Sequence, residues 1–216
     1  SDEGLEVKEL DPSHVSLVHL KIPKDRFEVW EIDKPMNLIV EIDLFYKKVL
    51  KNVYKDETIT LKLDKDSLIS VTLKGGFQRT KEVHEPETHE TEAPLPRLEF
   101  SHSTLIFLKP LLEALKDVEN DWEDIEFRGT DESLTLSWFN DISHKTIFDR
   151  GNDYIINING EGYGYYTYSY LSPILKGMKG LAEVVKLELG DNIPIRITAD
   201  DFKGLLEYYI APKLIT

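Results

Sequence analysis

The sequence predicts an α+β fold built twice from one plan, on three observations. Over residues 43–75 the apolar period changes from helical to alternating, the signature of a helix feeding a β-hairpin. The same change returns over residues 168–199, so the chain reads as a duplicated unit. Finally, 216 residues with 41% hydrophobic and 31% charged composition describe a globular chain long enough to bury a core.

In order along the chain, Ser1 to Gly4 reads as a turn and Leu5 to Leu10 as a strand of alternating pattern. Asp11-Pro12 breaks it, and a second strand, Val15 to Ile22, ends at Pro23. Lys24 to Asp33 fits a short helical turn with Phe27 and Trp30 inward, and Met36 to Glu41 a further strand. The helix from Asp43 then carries Phe45, Val49, Leu50 and Val53 at helical spacing, with Lys48, Lys51 and Lys55 on another side. Ile59, Leu61 and Leu63, then Ile69, Val71 and Leu73, form the hairpin; Gly75-Gly76 bends the chain into a strand over Phe77 to Val83.

The second copy begins at Arg97. Strands are expected at Leu98 to Ser101, Asp124 to Arg128, Ser133 to Phe139, Ser143 to Phe148 and Tyr154 to Ile158. A helix is expected over Lys109 to Val118, with Pro110 in its first turn and Leu111, Leu112, Leu115 and Val118 buried. Gly160, Gly162 and Gly164 have the wrong spacing for a dinucleotide loop and read as a flexible loop before the helix Tyr168 to Gly180. Strands over Glu183 to Leu189 and Ile193 to Ala199 flank the turn Gly190 to Asn192. The expected organisation is therefore 1–80, a connector over 81–96, and 97–216. The first copy lacks counterparts of a strand, a helix and a strand at its front, roughly thirty residues. Their loss would expose apolar sheet surface.

Composition narrows the function. Zero cysteines leave no disulfide framework and no thiolate metal site, which fits an intracellular protein. No apolar run approaches membrane-spanning length. A net charge of −14 opposes wrapping nucleic acid around the whole surface but permits contact at one basic face. The polar connector carries His84-Glu85 and His89-Glu90, yet a zincin helix needs histidines four apart, and these are five apart across Pro86. A solvated linker is the expectation, with no metal and no cofactor. Without a nucleophile–base pairing or a metal spacing, a hydrolase is the weaker alternative.

The phrases EVKELDPSHVSLVHL (Glu6 to Leu20) and EYYIAPK (Glu207 to Lys213), with DNIPIRI and the lysine-bearing helix before ETITLKL, resemble the sliding clamp of DNA replication, the proliferating cell nuclear antigen family in its archaeal or eukaryotic form. The resemblance spans the chain apart from its front. It implies a non-enzymatic DNA-clamp fold of two similar domains, sheets outside and helices lining a trimeric ring around duplex DNA. Partners implied are a DNA polymerase, a flap endonuclease, a DNA ligase and an ATP-driven clamp loader. The expected location is the chromosome, cytoplasmic in an archaeon and nuclear in a eukaryote. Homotrimer and heterotrimer both stay open, and the alternatives are a specialised or checkpoint clamp and a scaffold that never encircles DNA.

On this resemblance the DNA-facing positions are Lys48 and Lys51 in the first half and Lys176 in the second. Helical geometry adds Lys55 and Lys179, and the less basic helix 109–118 adds Lys116. A client-peptide groove is implied at Leu10, His14, Val15, Leu17, Leu95, Pro194, Tyr209, Ala211, Pro212 and Lys213, where a glutamine, an aliphatic plug and paired aromatics insert. The subunit boundary is expected at Phe77, Arg79 and Lys81, with Arg79 and Lys81 pairing to Glu113 or Asp117 of a neighbour beside strand pairing at Ser143, Lys145 and Ile147.

Overall fold

The computed structural model describes residues 1–63, 68–84, 94–118 and 123–214. Its contacts divide the chain into Ser1–Ile32 with Glu92–Thr216, and Asp33–Thr91. This division does not follow the repeat boundary expected at 81–96. The opening hairpin β1 (Gly4–Leu10) and β2 (Ser16–Pro23) joins the sheet of the C-terminal half, because β2 pairs along its length with β14 (Leu205–Ile210).

That larger unit holds a seven-stranded sheet in the order β1-β2-β14-β13-β12-β6-β10. Its remaining strands are β13 (Ile195–Ala199), β12 (Val184–Leu189), β6 (His102–Phe107) and β10 (Ile155–Gly160). A four-stranded sheet runs β11-β7-β8-β9: β11 (Gly162–Thr167), β7 (Asp124–Gly129), β8 (Ser133–Phe139) and β9 (Ser143–Asp149). Helices α2 (Leu108–Ala114) and α3 (Tyr168–Met178) supply Leu111, Leu171 and Leu175 to one core, where Ile106, Ile125, Phe127, Leu187 and Ile197 are also buried.

In the second unit, α1 (Ile42–Lys48) and a 3₁₀ turn (Leu50–Asn52) precede an antiparallel sheet β3-β4-β5: β3 (Thr58–Leu63), β4 (Leu68–Lys74) and β5 (Gln78–His84). Its core is Val49, Ile69, Val71 and Leu73, with Val40, Phe45, Val53 and Val83 packed against it. The duplication is visible in the connectivity: α1-β3-β4-β5 and α3-β12-β13-β14 are each a helix followed by an antiparallel meander. They differ at the edge, since β12 is covered by β6 whereas β3 pairs with β4 alone among the described residues. Ile59, Leu61 and Leu63 are correspondingly exposed.

Several expected elements are corrected. Met36 to Glu41 forms no strand. Leu98 to Ser101 is irregular, and the strand begins at His102, where the alternation His102, Thr104, Ile106 turns inward. Helix α2 spans seven residues and ends at Ala114, although Leu115 and Val118 are still buried by the turn that follows. Leu50, expected in the stripe of α1, is 38% exposed, because the helix gives way to 3₁₀ geometry after Lys48 and the face rotates.

The glycines 162 and 164 lie inside a strand rather than a loop. A Cβ on Gly164 would stand 2.3 Å from the Tyr166 hydroxyl, and one on Gly129, opposite Gly162, 2.2 Å from His102 Nε2. These glycines make room for buried side chains, a role that a turn-based reading of Gly overlooks. The expected connector falls largely on 85–93 and lies outside the described residues. His84 ends β5, and His89 lies outside them too.

Candidate functional site

In the larger unit, α2 and α3 meet along a groove of about 150 Å³ walled by Leu112, Leu115, Tyr168 and Ser172, with Lys116 and Lys176 also lining it. Pro110 and Pro173 are tolerated because each falls near a helix start, where few backbone donors are needed. Lys116 is paired with Glu113, whose carboxyl is held below its usual range by that bond first and by the charges of Lys109 and Lys179 in addition. Thus Lys109, Lys116, Lys176 and Lys179 gather around the two helices. Glu113, expected at a subunit boundary, is taken up inside this lysine cluster instead.

The lysines of the second unit are arranged less regularly. Lys48 ends α1, Lys51 lies in the 3₁₀ turn and Lys55 in the turn before β3; all three are exposed. The expected helical stripe therefore stops at its first member. No side chain caps α1, and Val53 donates to Leu50 in a 3₁₀ closure rather than continuing the α ladder.

The implied peptide groove is largely assembled. Asp11 organises the β1–β2 turn: its carboxylate accepts from the backbone N–H of Ser13 (3.0 Å), Val15 (2.7 Å) and Ser16 (2.5 Å). Burial pushes the Asp11 carboxyl up, but these bonds outweigh it and hold it below the usual value. The turn places His14 exposed and in the left-handed region (φ 59°). Strand pairing then sets Leu10, Leu17, Tyr209 and Arg196 in one cross-strand row. Leu17 and Tyr209 are buried but stand outside the core cluster, so the row occupies the face turned away from the helices. Ala211 N–H donates to Val15 O (2.8 Å) and Lys213 N–H to Tyr165 O (2.8 Å), tying the C-terminal tail alongside. Leu95, Pro194 and Pro212 are half-buried.

On that same face lies a charged network that the sequence reading missed. His19, 3% exposed, bridges Glu207 Oε1 (2.8 Å, from Nδ1) and Glu6 Oε1 (2.9 Å, from Nε2). Glu6 also meets Lys8 (3.1 Å) and Lys21 (3.4 Å). Burial raises the Glu6 carboxyl, but the bonds to His19 and Lys8 and the Lys21 charge outweigh it, bringing the group down to about 2. Arg196 binds Glu188 (2.6 Å), which also accepts from Lys186 (2.9 Å). Charged residues two apart in strands, such as Glu6 with Lys8 and Lys186 with Glu188, are the signal that could have found it.

The expected boundary residues behave unevenly. Ser143, Lys145 and Ile147 are exposed on β9, which pairs with β8 alone, and β5 is likewise an edge strand. Arg79, in contrast, is bound within its own unit to Glu57 (2.6 Å) and Asn52 O (3.0 Å), beneath Tyr54 and Phe77 at 5.1 and 5.3 Å. Lys81 donates to Lys48 O. The ion pairs expected from Arg79 and Lys81 to a neighbour thus compete with partners in the same chain. Asp117 is exposed.

Residues 1–86 match the family model described as proliferating cell nuclear antigen, N-terminal domain. The DNA polymerase sliding clamp of Thermococcus gammatolerans is 26% identical over 220 residues, spanning 99% of this chain and 87% of that protein. The chain belongs to the sliding-clamp family. Among solved structures, the PCNA2–PCNA3 complex of Sulfolobus tokodaii matches 99% of this chain and 87% of its own at 25% identity and a TM-score of 0.85. The C-terminal region of FEN-1 bound to A. fulgidus PCNA gives 100% and 87% coverage, 24% identity and a TM-score of 0.84. The clamp fold therefore holds across the chain, and as a clamp the protein is a non-enzymatic processivity factor of DNA replication.

Proposed function

We propose that this clamp chain is one subunit of a three-membered ring that encircles duplex DNA and tethers replication and repair enzymes through the groove on its outer sheet face. The observation that carries the reading is an internal junction. Strand β2 of the first copy pairs antiparallel with β14 of the second, and the corresponding strands of the opposite copies, β9 and β5, are both open edges. A surface and its complement on opposite copies of one chain make a head-to-tail contact, which closes into a ring. Matching β2 to β9 and β14 to β5 by their registers sets Lys145 opposite Thr80 of the partner subunit and Ile142 opposite Val83 of the partner subunit.

The lysines of α2 and α3, with Lys48, Lys51 and Lys55, supply the phosphate-facing charge. Attraction to phosphates without base contacts lets DNA slide. The solved complexes of relatives support the two remaining parts: one contains two different PCNA chains, and the other a FEN-1 segment bound to PCNA. The clients are a polymerase, a flap endonuclease, a ligase and a clamp loader, reached by a peptide seated along Leu17, Tyr209 and the Ala211 to Lys213 tail, with Leu95 and Pro194 as further walls. Light scattering on the 216-residue chain, mixed with close homologous chains if it is alone monomeric, tests the ring. Trimer mass and retention on circular but not linear duplex are the expected results; equal loss from both DNA forms overturns the encircling part.

A further inference from the structure

The charged network and the groove meet at one side chain. Tyr209 stands opposite Leu17 on one side and Arg196 on the other, in the row that crosses the outer sheet face. Its phenol hydroxyl is hydrogen-bonded with both the Arg196 guanidinium and the Glu207 carboxylate. Such a hydroxyl can accept from Arg196 and donate to Glu207 at once, which fixes the ring about its side-chain torsions. Neither holder is free to move. Arg196 lies over the Phe100 ring at 4.8 Å and is bound to Glu188 at 2.6 Å. Glu207, 7% exposed, is bound to His19 at 2.8 Å, and His19 in turn to Glu6 on β1 at 2.9 Å.

We infer that Glu207 and Arg196, locked by His19 and Glu188, are positioning residues for Tyr209, presenting its ring at a fixed angle to the aromatic anchors of a client peptide. The inference rests on reading Leu17 and Tyr209 as the floor of the client groove. Its physical content is preorganisation. Ring orientation is set before binding, so the peptide does not meet the entropic cost of ordering it. A network of buried charges is costly unless every member is satisfied, and here each has a partner on a neighbouring strand. The same bonds join β1, β2, β14, β13 and β12 across the sheet, so groove geometry depends on the pairing of β2 with β14.

A synthetic fluorescent peptide carrying one glutamine, one leucine and paired phenylalanines is titrated against the full chain and four variants. Tyr209→Phe keeps ring and volume but removes the hydroxyl, and weakens binding about five- to tenfold, the scale of one hydrogen bond. Glu207→Gln weakens it to a similar degree. Combining the two changes costs no more than the worse single change, because Glu207 acts through the hydroxyl. A merely structural Glu207 would weaken binding equally in both backgrounds, and that result, or wild-type affinity in Tyr209→Phe, overturns the inference. Leu17→Asp separates the two levels. If it abolishes binding while the network variants bind normally, only the positioning role falls; if it binds normally, the groove reading falls and the inference with it.

Discussion

Single residues on the outer sheet face make the protein's stability depend on acid in a defined direction. Glu6 is held at about 2 in the folded chain against 4.5 ordinarily, so its contribution is fully present above pH 4.5 and is lost as pH falls from there toward 2. Glu6→Gln should flatten the melting temperature in that window and leave the unfolding slope above it unchanged. His102 acts in a higher window. It is 2% exposed, with Nδ1 against Gly160 O at 2.9 Å and Nε2 against the Thr104 hydroxyl at 2.6 Å, and burial pulls its imidazole below 6.5. Since the unfolded chain binds this proton first, stability falls as pH drops through 6.5. An NMR titration should place the His102 midpoint below that of exposed His14. Asp11→Ala removes three backbone-capping bonds and should cost about 1–2 kcal/mol in denaturant unfolding.

Among the elements, the paired strands β7 and β11 are the least forgiving. Gly129→Ala would drive a methyl into the His102 ring, which is anchored at both nitrogens, and should cost about 1–3 kcal/mol by overpacking. Gly151→Ala offers the contrast. Its neighbourhood is open, so any cost comes from its positive φ of 86° alone. Equal losses at the two positions in chemical unfolding would refute the steric account. Most of these strands were legible from alternation: β1, β2, β3, β4, β7, β8, β9 and β12 fall within about two residues of expectation. Two escaped, for different reasons. His102–Phe107 runs straight into α2 without a turn residue between them, and Gly162–Thr167 is punctuated by glycines that serve packing rather than chain reversal.

For the whole molecule, the absence of cysteine makes the proposed ring directly testable. Antiparallel partners bring Cα atoms to about 4.5–5.5 Å, within disulfide range. A chain carrying both Lys145→Cys and Thr80→Cys should therefore give an oxidised ladder that stops at three subunits if the chain pairs with itself. A ladder that fails to form, while mixing with a different clamp chain restores it, would place this chain in a mixed ring; no cross-link under either condition would refute the register. Arg79→Glu is the poorer probe. It sets a carboxylate against Glu57 in the same unit and disturbs that fold before any boundary is reached.

The candidate site was partly legible for the same reason that the fold was. Leu10, Leu17 and Tyr209 were found through a phrase whose residues are close in sequence to a turn or a tail, and strand pairing then aligned them. The sequence by itself determined the duplicated order of helix and meander, the lysine-bearing helices and the likeness to a clamp, because periodicity and local phrases are properties of neighbours along the chain. Only the tertiary structure decided that Glu113 lies among lysines, that Arg79 is already bound to Glu57, and that His19 links Glu6 to Glu207. Those facts depend on which side chains meet across strands up to 188 positions apart, and no local period carries that information.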